Sequence, residues 1–289
     1  MTILVTGATG TIGRQVVEQL VKRGADVRAL VRDPAKANLP AGVAVAQGDL
    51  LDVESLRNAL SGVSTLFLLN AVVPEEFTQA LTALNLAREA GIERMVYLSV
   101  IHSDRYVNVP HFAGKFGVER MIEQMSFNAT ILRPAYFMNN ELMIKEAVTG
   151  YGVYPMPIGS KGLAMIDARD IGEIAAIELI RRERSATPLP LVRLNLVGPD
   201  TITGAKAAAI WSDVLGRTIA YGGDDTAGFE KNLRRFMPSW MAFDMRVMSE
   251  RFLTEGMIPE AGDVKRLTDM LGRPLRSYRD FVAEIAASL

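Results

Sequence analysis

The stretch VTGATGTIGRQVV, residues 5–17, sets Gly7, Gly10 and Gly13 between an apolar run and an amphipathic one. The run before it, TILVTG from Thr2, has the uniform apolarity of a strand covered on both faces. After it, Ile12, Val16, Val17, Leu20 and Val21 share one helical face, and Gly24 supplies a stop. A glycine turn from strand into helix lets a ligand approach the backbone where the helix offers unpaired N–H groups and the positive end of its dipole. Side chains at the glycine positions would block that approach. In this strand–loop–helix setting the spacing predicts a dinucleotide pyrophosphate site, with Thr9, Thr11 and Ile12 sharing the cradle with the glycines. The other reading is a tight turn whose glycines serve packing alone.

Working outward, further strand-like runs follow: DVRALVR from Asp26, VAVAQGD from Val43, STLFLLN from Ser64, RMVYLSV from Arg94 and NATILRP from Asn128. Helical patterns separate them, in VESLRNAL behind the N-cap candidate Asp52, EEFTQALTALNLAREAG and GKFGVERMIEQM. Such alternation predicts an α/β fold, a doubly wound parallel sheet of the Rossmann kind with helices on both faces. After Pro134 the alternation loosens. DIGEIAAIELIRRE reads as a helix with Asp170 as N-cap and Glu173 as its capping-box partner. LVRLNLVG reads as a strand returning near 190–198, TGAKAAAIWSDVLG as a helix opened by Thr203, and the last fifty residues as helical. The expected organisation is a Rossmann core over residues 1–150 and a smaller, mainly helical substrate or partner lobe over 151–289, interleaved with it.

Composition narrows the chemistry. Among 289 residues there is no cysteine and there are only two histidines, His102 and His111, so thiolate nucleophiles, disulfides and Cys-based metal sites are excluded and zinc has few ligands. No metal is expected. A net charge of −1 gives no basic surplus for nucleic acid or an anionic membrane. No run approaches the ~20 apolar residues of a membrane span, and MTILVTGATG lacks a basic leader, so a soluble, cytoplasmic protein is expected.

Cofactor choice turns on the end of the second strand, ~20 residues past the loop, where an acid would favour NAD. Arg32 stands there, with Lys36 four positions on, and a guanidinium suits a 2′-phosphate, so NADP(H) is expected. Asp33 could fill the acidic role or pair with Arg32. In GDLLD, Asp49 lies at an adenine position or in a turn; Asn70 either touches the cofactor or ends the fourth strand. LRPAYFMNN places Tyr136, Phe137 and Asn140 just past a strand end, where they face nicotinamide and substrate or begin the core face of the next helix. RRFMPSWMAFDMRVMSERF carries a Met and aromatic stripe that reads as a lid over a flat apolar substrate, as helix core, or as a contact in a homodimer or with a protein partner.

With VTGATGTIG, Arg32, GDLLD, YLSV and Lys115 in this order, the chain resembles the atypical short-chain dehydrogenase/reductases, and within them the NmrA-like group, over roughly residues 1–285. The resemblance implies NADP(H) bound in a Rossmann fold and a C-terminal lobe shaping a substrate cleft. Catalytic members of the wider superfamily use a tyrosine, a lysine four positions later and a serine from the fifth strand. Lys115 matches the lysine, as a ribose-binding residue, and Ser99 lies near the serine's place; the tyrosine position holds His111. Residues four apart share a helical face, whereas Tyr106, nine before Lys115, does not. The positive charge of Lys115 beside it favours the uncharged ring, so His111 is expected as a neutral imidazole lending its one N–H to an acceptor oxygen. The function implied is an NADPH-dependent oxidoreductase passing hydride to a quinone-like or conjugated-carbonyl acceptor. The alternative is a non-catalytic NADP(H)-sensing regulatory protein. An epimerase or dehydratase acting on a nucleotide sugar would need the intact Tyr–Lys pair.

Overall fold

A computed structural model describes residues 1–289. In chain order the elements are β1 (Thr2–Val5), α1 (Thr11–Lys22), β2 (Asp26–Val31), β3 (Ala44–Gln47), α2 (Val53–Leu60), β4 (Val63–Leu68), α3 (Glu76–Glu89), β5 (Arg94–Leu98), α4 (Pro110–Gln124), β6 (Asn128–Pro134) and α5 (Lys145–Tyr151). They continue with β7 (Val153–Tyr154), α6 (Ala168–Arg184), β8 (Val192–Leu196), α7 (Gly204–Leu215), β9 (Ala220–Tyr221), α8 (Thr226–Leu233), α9 (Ser239–Thr254), α10 (Asp263–Leu271) and α11 (Tyr278–Ala287).

Two compact units emerge. The first comprises residues 1–103, 114–133 and 168–194. Its seven-stranded sheet runs β3-β2-β1-β4-β5-β6-β8, with parallel pairing from β3 through to β6. This is the doubly wound Rossmann order, and its direction reverses between β1 and β4. Central strands are dry: Leu66, Phe67 and Leu68 of β4 and Met95, Val96 and Tyr97 of β5 are fully buried. β3 departs from the expectation of a strand covered on both faces, because Ala44, Val45 and Gln47 are exposed at the sheet edge. Asp52 caps α2 as expected, accepting from the Ser55 N–H at 3.1 Å. α1 packs on α6, and Gly172 permits it: a Cβ there would come within 2.9 Å of the Gln15 carbonyl carbon.

Asp170 is not the N-cap of α6. The helix starts two residues earlier, at Ala168, so Asp170 lies buried in its first turn, and Glu173 takes Arg23 at 2.9 Å. The helix dipole favours an acid at the cap and in the first turn alike, so residue type alone does not separate the two positions.

The second unit comprises residues 104–113, 134–167 and 195–289: helices with the short parallel pair β7–β9. The division therefore does not fall at residue 150. Residues 104–113 and 134–150 leave the core, while residues 168–194 return to it because α6 and β8 complete the sheet's layers. Thr203 opens α7 as expected, accepting from the Lys206 N–H at 3.1 Å. No helix is long and apolar enough to cross a membrane.

At the centre of this unit Glu141 is fully buried. It accepts hydrogen bonds from the Tyr278 hydroxyl at 2.6 Å and the Tyr154 hydroxyl at 3.1 Å, with the Trp211 indole N–H alongside. Burial pushes its carboxyl from 4.5 up to about 7, against the opposing pull of those donors. Folding thus takes up a proton between these values. The stabilisation is complete below about 4.5 and is lost as pH rises through about 7. That loss amounts to about 3 kcal/mol. Urea unfolding followed across this range is expected to show the decline, and Glu141→Gln to flatten it.

Candidate functional site

In the first unit the glycine loop lies at the carboxyl end of β1, where the sheet order reverses. Each glycine has its own reason. Gly7 takes a φ of +61°, and a Cβ there would sit 2.7 Å from Leu69 Cδ2. At Gly13 a Cβ would overlap the Gly7 carbonyl oxygen and approach Ala8 Cα to 3.0 Å, so this glycine is required by packing. Gly10 differs. A Cβ there would meet only the Gly7 carbonyl oxygen, at 3.3 Å, and otherwise project into open space. Gly10 is also the N-cap of α1 and offers no side-chain cap, so the first-turn N–H groups face outward with no side-chain acceptor. Thr9, Gly10 and Thr11 are exposed, while Ile12 anchors the turn in the core.

Asn70 follows β4, the strand next to β1 in the sheet. It is buried, yet neither its amide oxygen nor its amide nitrogen has a partner. An orphaned buried amide is costly unless something else satisfies it. Together with the cradle a Gly10 side chain would fill, it fits a dinucleotide. Arg32 is exposed at the end of β2. Asp33 pairs with Lys36, at 3.1 Å, rather than with Arg32, and accepts from the Ala35 N–H at 3.1 Å. Asp49 forms a turn, its carboxylate accepting from the Leu51 N–H at 2.9 Å.

Lys115 is buried and ion-paired with Glu76, the first residue of α3, at 2.5 Å. The Ser99 hydroxyl donates to Glu119 at 2.5 Å. Glu119 has no solvent exposure; it also takes Arg133 through Nη2 at 2.6 Å and Nε at 3.0 Å, and the Ser103 hydroxyl at 3.1 Å. Glu76 and Glu119 were not foreseen. The only sequence signal was Glu119 four residues after Lys115, and it points to a pair the fold does not make. Tyr97, two residues before Ser99, cannot replace the missing tyrosine as an acid: burial raises its phenol well above the ordinary range, with Glu76 and Glu119 adding to the rise. His102 sits in a turn with a φ of +57°.

In the second unit the helix carrying His111 begins at Pro110, one turn earlier than GKFGVERMIEQM suggested, since proline suits a first turn. The His111 backbone N–H donates to Asp244 Oδ2 at 3.0 Å, and its Nδ1 bonds Asp244 Oδ1. Asp244, on α9, has no solvent exposure. A neutral imidazole held this way has its one N–H on Asp244 and none for an acceptor oxygen, so the expected hydrogen bond from neutral His111 is corrected. Tyr106 donates to the Gly256 carbonyl and stacks on Phe112 at 5.7 Å. Tyr136 packs in the core, edge-on to Phe252 at 6.2 Å, and Asn140 hydrogen-bonds it; Phe137 is half-buried and bridges to Ile166. In the Met and aromatic stripe Met248 and Phe252 are core, while Phe243 is exposed beneath the Arg246 guanidinium at 4.9 Å. Asp244, an acid set between Phe243 and Met245 of that stripe, was the signal overlooked.

Comparison with known proteins follows the same lines. The chain is 31% identical over 293 residues to the NAD(P)H azoreductase of Xenophilus azovorans, covering 99% of this chain and 98% of that protein. It is 27% identical to quinone oxidoreductase 2 of Escherichia coli (strain K12), over 98% of each. The crystal structure of an NADPH-dependent quinone oxidoreductase from Escherichia coli, complexed with NADPH, matches with a TM-score of 0.87 at 26% identity, over 99% of each chain. The profile of the NmrA-like family matches residues 1–264. With that match spanning the glycine loop, the sheet and most of the second unit, this protein belongs to the NmrA-like family.

Proposed function

We propose that this protein is an NADPH-dependent reductase passing hydride to a quinone-like or conjugated-carbonyl acceptor. The observation that carries the reading is the uncapped N-terminus of α1, opened by Gly10 at the switch point of the sheet. The azoreductase and quinone oxidoreductase relatives support the choice of acceptor. In this reading Gly7, Thr9, Gly10, Thr11, Ile12 and Gly13 form the pyrophosphate cradle, and Arg32 with Lys36 meets the 2′-phosphate. Asp49 lies by the adenine, Asn70 completes its hydrogen bonds on the cofactor, and Lys115 reaches the ribose from its place beside Glu76. Ser99 braces Glu119 rather than moving a proton. Phe137 and Asn140 serve the acceptor, with Tyr136 packed behind them. Reduced nicotinamide supplies the hydride. The partner is a small molecule and the setting cytoplasmic; a homodimer is compatible with it.

The test follows loss of reduced-nicotinamide absorbance with quinones, azo dyes and conjugated carbonyls, beside binding titrations with NADPH and NADH. Saturable oxidation of NADPH is expected. Arg32→Ala is expected to weaken NADPH about 10- to 100-fold, the worth of one or two charge-assisted hydrogen bonds, and to leave NADH little changed. Tight NADPH binding without turnover across the panel would replace this reading by the non-catalytic, NADP(H)-sensing one.

A further inference from the structure

His111 is held in an unusual way for a residue at the start of a helix. Both oxygens of one carboxylate grip it, Asp244 Oδ2 on its backbone N–H and Oδ1 on its Nδ1. The carboxylate is sealed from solvent, whereas the imidazole keeps about one-tenth exposure, and the Phe112 ring fixes it edge-on at 4.6 Å. Nε2 has no hydrogen bond within the protein. An imidazole anchored at one nitrogen and open at the other has a set tautomer and a set direction for moving a proton. A structural contact would need only the backbone N–H bond, and burying a carboxylate for it is costly unless its charge is used or well paired.

We infer that His111 and Asp244 form a proton-delivering pair, with His111 as the catalytic acid and Asp244 as the residue that positions it; this rests on the reductase reading above. A quinone that has gained hydride is a hydroquinone monoanion. The Nε2–H bond of the imidazolium breaks, its electron pair stays on the ring, and an O–H bond forms on the anionic oxygen. The neutral imidazole then takes a proton from water, and the proton count on Asp244 is the same before and after. Each turnover consumes one NADPH and one proton and yields NADP and hydroquinone. The pair therefore serves acceptors that need a proton as well as hydride. A cationic triarylmethane dye, neutralised by hydride alone, makes no such demand.

The experiment compares NADPH-driven reduction of a benzoquinone and of a cationic triarylmethane dye by the native protein, His111→Gln and Asp244→Asn, with quinone turnover repeated in heavy water. His111→Gln is expected to lower quinone kcat about 100-fold, the usual worth of a positioned acid, and dye kcat far less. Asp244→Asn, which donates to Nδ1 and moves the ring proton to Nε2, is expected to fall in the same direction. Slowing of quinone turnover in heavy water is expected for the native protein and not for His111→Gln. Equal losses with both acceptors, or an unchanged heavy-water effect in the variant, would overturn the pair while leaving the reductase reading in place. A native protein that reduces neither acceptor overturns the reductase reading, and the pair with it. His111→Gln keeps the backbone bond to Asp244 and so separates chemistry from folding if Asp244→Asn does not fold.

Discussion

Gly10→Val is expected to bind NADPH about 100-fold or more weakly than the native protein while unfolding within a few degrees of it. The two effects separate because Gly10 has no structural need to be glycine. Its φ of −80° and ψ of 173° suit any residue, and an added Cβ meets a single atom, the Gly7 carbonyl oxygen at 3.3 Å. Valine is a poor N-cap, which costs about 1 kcal/mol and lowers Tm by roughly 2–4 °C in a chain of this size. The side chain instead fills the space above the first-turn N–H groups of α1. Excluding a phosphate from two charge-assisted hydrogen bonds, each worth about 1.5–3 kcal/mol, accounts for 100-fold or more. Gly13→Ala sets the contrast, since its Cβ strikes the backbone of Gly7 and Ala8 and must cost stability as well as binding. NADPH titration by fluorescence and a thermal melt, run on both variants, would check this. Native-like NADPH affinity in Gly10→Val would mean that the glycines serve packing alone.

The second large effect lies in stability. Glu119→Ala is expected to lower the unfolding free energy by about 3–5 kcal/mol, the usual loss when one partner of a buried ion pair is removed. The carboxylate is fully buried and takes both Arg133 Nη2 and Nε, with the Ser99 and Ser103 hydroxyls on the same oxygen as Nε. Deleting it takes a bidentate carboxylate from a guanidinium whose side chain is only 12% exposed. Arg193, at 34% exposure and 3.5 Å, adds little, because solvent screens it. Urea denaturation is the measurement. Replacing both members, Glu119→Leu with Arg133→Met, is expected to recover part of the loss, since the buried guanidinium deprived of this carboxylate is then gone as well. A single variant as stable as the native protein would show that the pair does not hold α4 to β6.

How much of this could be read beforehand depends on the range of the interaction. Alternating strands and helices, the stops at glycines, and the caps at Asp52 and Thr203 all rest on neighbours a few residues apart, and these are found as expected. Local patterns were ambiguous where two positions suit the same residue, as with Asp170 at a cap or within the first turn. They were also incomplete where exposure depends on a strand's place in the sheet, as at β3.

The sequence by itself determined the doubly wound sheet and the glycine turn into α1, because 2- and 3.6-residue periodicity and the steric freedom of glycine are properties of adjacent residues. Only the tertiary structure decided the charge partners. Lys115 meets Glu76 rather than the nearer Glu119, Glu119 meets Arg133, and His111 meets Asp244, 133 residues away. Helical spacing does not foretell such pairs. Helices dock to bury their apolar faces, and each charge carried inside must then pair with whatever carboxylate or guanidinium the docking has brought beside it.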